Sequence, residues 1–271
     1  MNKVEGVIFD WAGTTVDFGC FAPVNIFLKI FKKMGVEVTM EEARAPMGML
    51  KRDHIKAMLQ MLRIREIWKE KYGRDFNEKD IDDLYSDFKP LLIASLAEYT
   101  DPIPGVINTV RIIRNSGMKI GSTTGYTDEM MEIVVACAKK KGYEPDCFVT
   151  PETTNSIGRP YPYMIFKNIE KLGLTTSWKV VKVGDTISDI KEGINAGVWS
   201  VGVVVGSSQM GLSYEQFINL HDNDRNEVIK NTEDSFFKAG ADFTIKTMME
   251  LPGLIEKINK LMNEGKRPNA R

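Results

Sequence analysis

From about residue 102 onward the chain alternates short β-prone apolar runs with helical stretches, and this alternation restricts the fold more than any other feature. The runs are MKIGSTT, CFVT, VVKVG, WSVGVVVG and AGADFTI. Between them lie helical patterns over about 105–115 and 127–141, then GRPYPYMIFKNIEKLG and SDIKEGINAG, with a helix near 222–238 and a closing helix after the last run. Strands separated by helices in this way form a parallel sheet covered on both faces. One more run, residues 7–9, stands far upstream, and because a single strand is not stable alone it must join the same sheet. From about 19 to 100 no strand signal occurs. There the chain reads as a helix over 22–34 stopping at Gly35, a short helix opened by Thr39 with Glu42 at capping-box spacing, a Met-rich helix over about 48–62 and an amphipathic helix over about 78–97. The expected fold is α/β: a doubly wound parallel sheet from residues 1–18 and 100–271, with an all-helical domain at 19–99 inserted after the first strand.

A hydrophobic content of 43% with 27% charged residues describes a globular chain long enough to bury a sizeable core. A net charge of −1 gives no reason to expect a nucleic-acid or membrane partner. Cys20, Cys137 and Cys147 are scattered and lack metal-ligand spacing, as reduced thiols of a cytoplasmic protein would be. No stretch has the length of a signal-peptide core or a membrane span. The basic end, GKRPNAR, reads as a solvated, frayed tail.

A parallel sheet delivers the carboxyl ends of its strands to one edge, where ligands bind. Asp10 follows the first strand, in a turn carrying Gly13, Thr14 and Thr15. Thr123 and Thr124 follow MKIGS, Asp185 and Asp189 follow VVKVG, and Arg159 lies in the loop SIGRPYP. Each has an ordinary role open to it: Asp10 as a turn cap, Asp185 and Asp189 at a helix start, Arg159 in a surface pair. Their convergence on one edge points instead to a site. Carboxylates without His or Cys suit a hard cation such as Mg²⁺, while hydroxyls and a guanidinium suit a phosphoryl group.

The segment VIFDWAGTTVD resembles the first motif of the haloacid dehalogenase superfamily, a strand ending in a nucleophilic Asp. Ser122–Thr124 resembles its second motif, GRPYP its third and GDTISD its fourth, in the right order, and a helical cap inserted after the first motif is the family's habit. The resemblance implies Asp10 as nucleophile and Mg²⁺ held by Asp10, the carbonyl of Ala12 and Asp185, with Asp189 orienting ligands. It also implies phosphoryl contacts from Thr124, Arg159 and the amides around Gly13 and Thr14, and a homodimer acting on a small molecule.

Superfamily phosphatases and mutases usually carry an acid two residues after the nucleophile, where this chain has Ala12. Without it, expulsion of an alkoxide is slow. A carbon leaving group needs no such acid if an adjacent carbonyl has become a protonated imine, and that requires a lysine. Lys51 follows PMGML and precedes His54 by three residues, on the same helical face. FDWAGTTVDFGCFAP, PMGMLKRDH, GSTTGYT and GRPYP together resemble the branch of the superfamily that hydrolyses the carbon–phosphorus bond of phosphonoacetaldehyde. That resemblance implies a Schiff base on Lys51 and a proton-shuttling or positioning role for His54, and it leaves the roles of Cys20, Met47 and Tyr126 open. The alternatives are a phosphate-ester phosphatase or phosphomutase of the same superfamily, and a scaffold protein that has kept the fold without the activity.

Overall fold

A computed structural model describes residues 2–269. Five parallel strands form one sheet in the order β2-β1-β3-β4-β5: β1 (Gly6–Phe9), β2 (Lys119–Ser122), β3 (Val180–Gly184), β4 (Trp199–Val203) and β5 (Phe243–Ile245). β1 is central, with Phe9 opposite Ser122 on one side and Val183 on the other. Its residues are buried on both faces, which is why GVIF reads as a continuous apolar run rather than an alternating one.

The expected strand at CFVT is absent from this sheet. Its segment follows the outer edge of β2, where Asp146 N and Val149 N donate to Ile120 O and Ser122 O at 2.7 and 2.9 Å, but only Val149 forms a bridge, with Thr123. Pro145 lies just before this segment and Pro151 just after it, and neither has an N–H to extend a ladder. A covered edge is what remains.

Between β1 and β2 the chain is helical: α1 (Phe21–Lys33), α2 (Met40–Arg44), α3 (Lys51–Gln60), α4 (Leu62–Tyr72) and α5 (Glu78–Ser95), then a 3-10 turn over Leu96–Tyr99. Thr39 and Glu42 make the expected capping box on α2, and Asn77 with Asp80 makes another on α5. α4 went unread in the sequence. Its apolar face is thin, but Ile64 and Trp68 are fully buried, and each large apolar side chain withdrawn from water contributes roughly 1.5–3 kcal/mol. The Met-rich helix begins later than expected, at Lys51. Gly48 holds φ at +88°, and a Cβ there would lie 2.5 Å from Thr186 Oγ1, so residues 46–50 form a loop pressed against the sheet domain.

The remaining helices are α6 (Val106–Asn115), α7 (Asp128–Lys140), α8 (Tyr163–Leu172), α9 (Ile187–Ala196), α10 (Tyr214–Ile218), α11 (Asp222–Ala239) and α12 (Leu251–Asn263). The short α10 was also unread. The tail is tied down as far as it is described: Arg267 lies 4.0 Å from the Trp178 ring centroid and Asn269 N donates to Asp242 Oδ1 at 2.8 Å. Residues 270–271 of that expected frayed end lie outside the described residues. No described helix is long and apolar enough to cross a membrane.

Candidate active site

Asp10 leaves β1 with its N–H bonded to Val183 O at 3.0 Å, so the sheet itself sets its position. The chain then closes a tight turn in which Thr14, Thr15 and Val16 all donate to Trp11 O at 2.8–3.1 Å. Trp11 Nε1 ties that turn to β2 through Ser122 Oγ at 2.8 Å. Gly13, at φ +87°, faces Asp185, and a Cβ on it would lie 2.1 Å from Asp185 Oδ2, so only glycine lets that carboxylate approach. Asp185 accepts from Thr14 Oγ1 at 3.1 Å and from Ser208 N at 2.8 Å.

The amides of Gly13 and Thr14, expected to face a phosphoryl group, are consumed by the turn: Gly13 N donates to Val16 O and Asp17 O at 2.8 and 3.1 Å, and Thr14 N to Trp11 O. Among the described residues the amides of Trp11, Ala12 and Gly125 make no hydrogen bond, so the available donors sit earlier in the turn and after β2. Gly13 and Thr14 shape and hold Asp185 instead.

Asp10, Asp185 and Asp189 each place an oxygen within 4.8 Å of the others. Behind them lies a buried ion network. Arg159 reaches Asp10 Oδ1 at 2.6 Å, Asp189 Oδ1 at 3.1 Å and Glu192 Oε2 at 3.0 Å, while Lys182 Nζ lies 2.8 Å from Asp189 Oδ1 and 3.4 Å from Glu192 Oε2. Thr123 Oγ1 sits between the two cations and Glu192, at 2.8–3.0 Å from each. Burial and the charges of Asp10 and Asp189 push the Asp185 carboxyl well up, and burial above all raises Asp10. Asp189 is buried too, yet Arg159 and Lys182 hold it below the usual carboxylate range. It also closes the α9 capping box with Thr186, so helix start and site membership coincide in one residue.

These residues fit a divalent cation. Of four buried carboxylates, Asp10, Asp189 and Glu192 share two ion-paired cations, Arg159 and Lys182, and Asp185 has no ion pair among the described residues. Buried charge left uncompensated is costly, and an all-oxygen donor set suits a hard ion. Asp189 already has both oxygens engaged, by Arg159 and Lys182 on one side and by Thr186 Oγ1 at 2.6 Å on the other. Asp10 and Asp185 carry the unmet demand.

A small cavity lies above Asp10. Ala12, Thr124, Gly125, Arg159 and Thr186 line it from the sheet domain. Cys20, Met47, Gly48, Lys51 and Tyr126 complete it, three of them contributed by the helical segment after α1. Thr124 Oγ1 accepts from Tyr126 N at 3.1 Å. Lys51 is 5% exposed, its Nζ is 5.1 Å from the Tyr126 ring centroid, and among the described residues it has no hydrogen bond or ion pair. Burial holds its amine below the ordinary lysine value. Burial likewise keeps the Cys20 thiol and the Tyr126 phenol protonated.

His54 is not part of the cavity wall. Its Nε2 is 2.9 Å from Ala43 O, which makes that nitrogen the donor, and its ring stacks on Phe27 at 3.9 Å. Phe27 stacks in turn on Phe88, so the imidazole is drawn into the interior of the helical segment. Burial and the nearby Lys51 charge keep it neutral. Three-residue spacing put His54 beside Lys51 but could not say which of them turns toward the sheet. Lys182, Glu192 and Thr186 were missed altogether. The signal for Lys182 was present: a lysine in the middle of VVKVG, a run otherwise apolar enough to be buried on both faces.

Residues 4–197 match the family described as haloacid dehalogenase-like hydrolase. The chain is 57% identical over 263 residues to a phosphonoacetaldehyde hydrolase of Lysinibacillus sphaericus (strain C3-41), covering 97% of this chain and 98% of that one. It is 51% identical to a phosphonoacetaldehyde hydrolase of Parabacteroides distasonis, covering 96% and 98%. Among solved structures, a phosphonoacetaldehyde hydrolase-like protein from Oleispira antarctica superposes with a TM-score of 0.94 at 37% identity, covering 98% of this chain and 96% of its own.

Proposed function

The chain belongs to the phosphonoacetaldehyde hydrolases within the haloacid dehalogenase-like hydrolases, and from that premise we propose that it cleaves the carbon–phosphorus bond of phosphonoacetaldehyde through an imine on Lys51. The observation that carries this reading is the pairing of a buried lysine that has no ionic partner with a strand-end carboxylate, Asp10, across a cavity whose wall has Ala12 where a general acid would stand. A buried lysine with no anion in contact is what a neutral, nucleophilic amine requires.

Neutral Lys51 Nζ adds to the aldehyde carbon, the carbinolamine oxygen takes up a proton from solvent and leaves as water, and a protonated imine forms. An Asp10 oxygen then attacks phosphorus. The electron pair of the breaking P–C bond flows into the imine, giving an enamine on Lys51 and an aspartyl-phosphate on Asp10. Water hydrolyses the acyl phosphate to release phosphate. Protonation of the enamine carbon and hydrolysis of the imine release acetaldehyde and restore the amine. In the P–C cleavage step the electrons leave to carbon and not to oxygen, so the acid missing at Ala12 is not needed there.

A divalent cation such as Mg²⁺, held by Asp10, the Ala12 carbonyl and Asp185, would supply the positive charge that lets a carboxylate meet an anionic phosphoryl group. Arg159, Thr124 and the unspent amides of Trp11, Ala12 and Gly125 would bind the phosphoryl oxygens. Asp189, Lys182 and Glu192 orient Arg159. His54 braces the helix that presents Lys51. Residues 19–99 act as a cap that closes over a core of 1–18 and 100–271 and keeps bulk water from the imine. Three unbridged cysteines support a reducing, cytoplasmic setting.

The test is borohydride reduction with phosphonoacetaldehyde and Mg²⁺, followed by peptide mass mapping. A stable two-carbon adduct on Lys51 is expected. Bound substrate with no adduct on any lysine would overturn the imine.

A further inference from the structure

Arg44 ends α2 in the helical segment, yet its guanidinium makes its contacts elsewhere. Nη1 donates to Gly19 O at 2.6 Å and approaches Ser208 Oγ and O at 3.4 and 3.5 Å, and the group lies 4.7 Å from the Phe21 ring centroid. Gly19 belongs to the first crossing between the sheet domain and the helices, a stretch in which Asp17, Gly19 and Cys20 all have positive φ. Two of those are not glycine, so this backbone persists only where its surroundings hold it. Gly19 is held at both ends: its N–H donates to Gly206 O at 2.7 Å and its carbonyl accepts from Arg44. Ser208, two residues beyond Gly206, gives its own N–H to Asp185 at 2.8 Å.

We propose that Arg44 is a positioning residue that clamps the crossing at Gly19 to the loop behind Asp185, so that closing the helical segment and ordering the carboxylate site are one event. The clamp is built to release. It comprises one short bond and two long ones, and Arg44 Nη2 is buried without a partner among the described residues. A buried donor left unmade weakens the closed state, as a reversible closure requires. The ion pair joining the helices to the sheet domain, Lys89–Glu129, is largely exposed and screened by solvent, so it cannot substitute.

The clamp itself is read from geometry; its consequence for turnover rests on the proposed reaction, and the two are measured separately. Hydrogen exchange on the free protein reads the clamp. In Arg44→Gln, amides of 47–50 and 206–212 should exchange about tenfold faster while β3 is unchanged. Steady-state assay with phosphonoacetaldehyde reads the consequence: KM about tenfold higher with kcat within about threefold. Arg44→Lys, which keeps the charge but not the fork, should recover only part of both and serves if the Gln variant does not fold. Unchanged exchange in those segments, or full recovery by lysine, would overturn the clamp. A wild-type protein that leaves phosphonoacetaldehyde intact would sink the reaction and not the exchange result.

Discussion

Lys182 and Lys51 are both withdrawn from solvent, one in the sheet and one on the helices that cover it, and their surroundings differ in every other respect. Lys182 stands in the middle of β3 with Asp189, Glu192 and Thr123 within 3.4 Å. Lys51 opens α3 with an aromatic ring beneath it and no anion in contact. Burial of a charge demands a partner, and where the partner is absent the group responds by giving up its proton more readily. The paired lysine is therefore part of the scaffold's charge balance. The unpaired one is the group that the proposed reaction uses as its nucleophile.

That contrast can be broken by experiment. The largest effect is expected from Lys51→Arg, which keeps a cation but cannot form an imine: turnover of phosphonoacetaldehyde should fall at least about 10⁴-fold with circular dichroism unchanged. Wild-type-like turnover would make Lys51 another structural cation. Next, Lys182→Met leaves Asp189 and Glu192 without a counter-charge and should lower stability by about 3 kcal/mol in urea unfolding. Lys51→Met removes a lone buried amine and should raise stability by about 1 kcal/mol. Shifts of the same sign would erase the distinction.

In the proposed site a divalent cation balances the carboxylates above Lys182. Removing divalent ions with EDTA should abolish turnover and lower the unfolding temperature, and restoring Mg²⁺ at a hundred times its Kd should return about 2.7 kcal/mol. An unfolding temperature indifferent to chelation would mean that protonation balances them instead. The smallest effect is on pH dependence. Lys51 has a folded value below the ordinary lysine value of 10.5, so the unfolded chain binds the extra proton between the two and stability rises with pH across that window. Imine formation should rise with pH through the same lowered value. Lys51→Met should flatten the stability slope, and a slope that survives the substitution belongs to another group.

Much of this was legible because it follows from sheet geometry. VIFD ends a buried strand in a carboxylate, VVKVGD does the same, and a parallel sheet brings both ends to one edge whatever lies between. Gly13 was legible as a turn residue but not as the space into which Asp185 fits, since that approach joins segments far apart in sequence. CFVT had strand composition and no strand: it follows the outer edge of β2 with a single bridge, and Pro145 and Pro151 close both of its ends. His54 was placed by periodicity on the same helix face as Lys51, and the Phe27–Phe88 stack took it inward.

By itself the sequence determined the class of fold, the carboxylates at the strand ends and the missing acid at Ala12, since periodicity and chain order are local properties that survive any packing. The tertiary structure alone decided which lysine is paired, which amides remain free and what Arg44 holds. Those depend on burial and on partners distant in the chain, and a charge has no role until its neighbours are known.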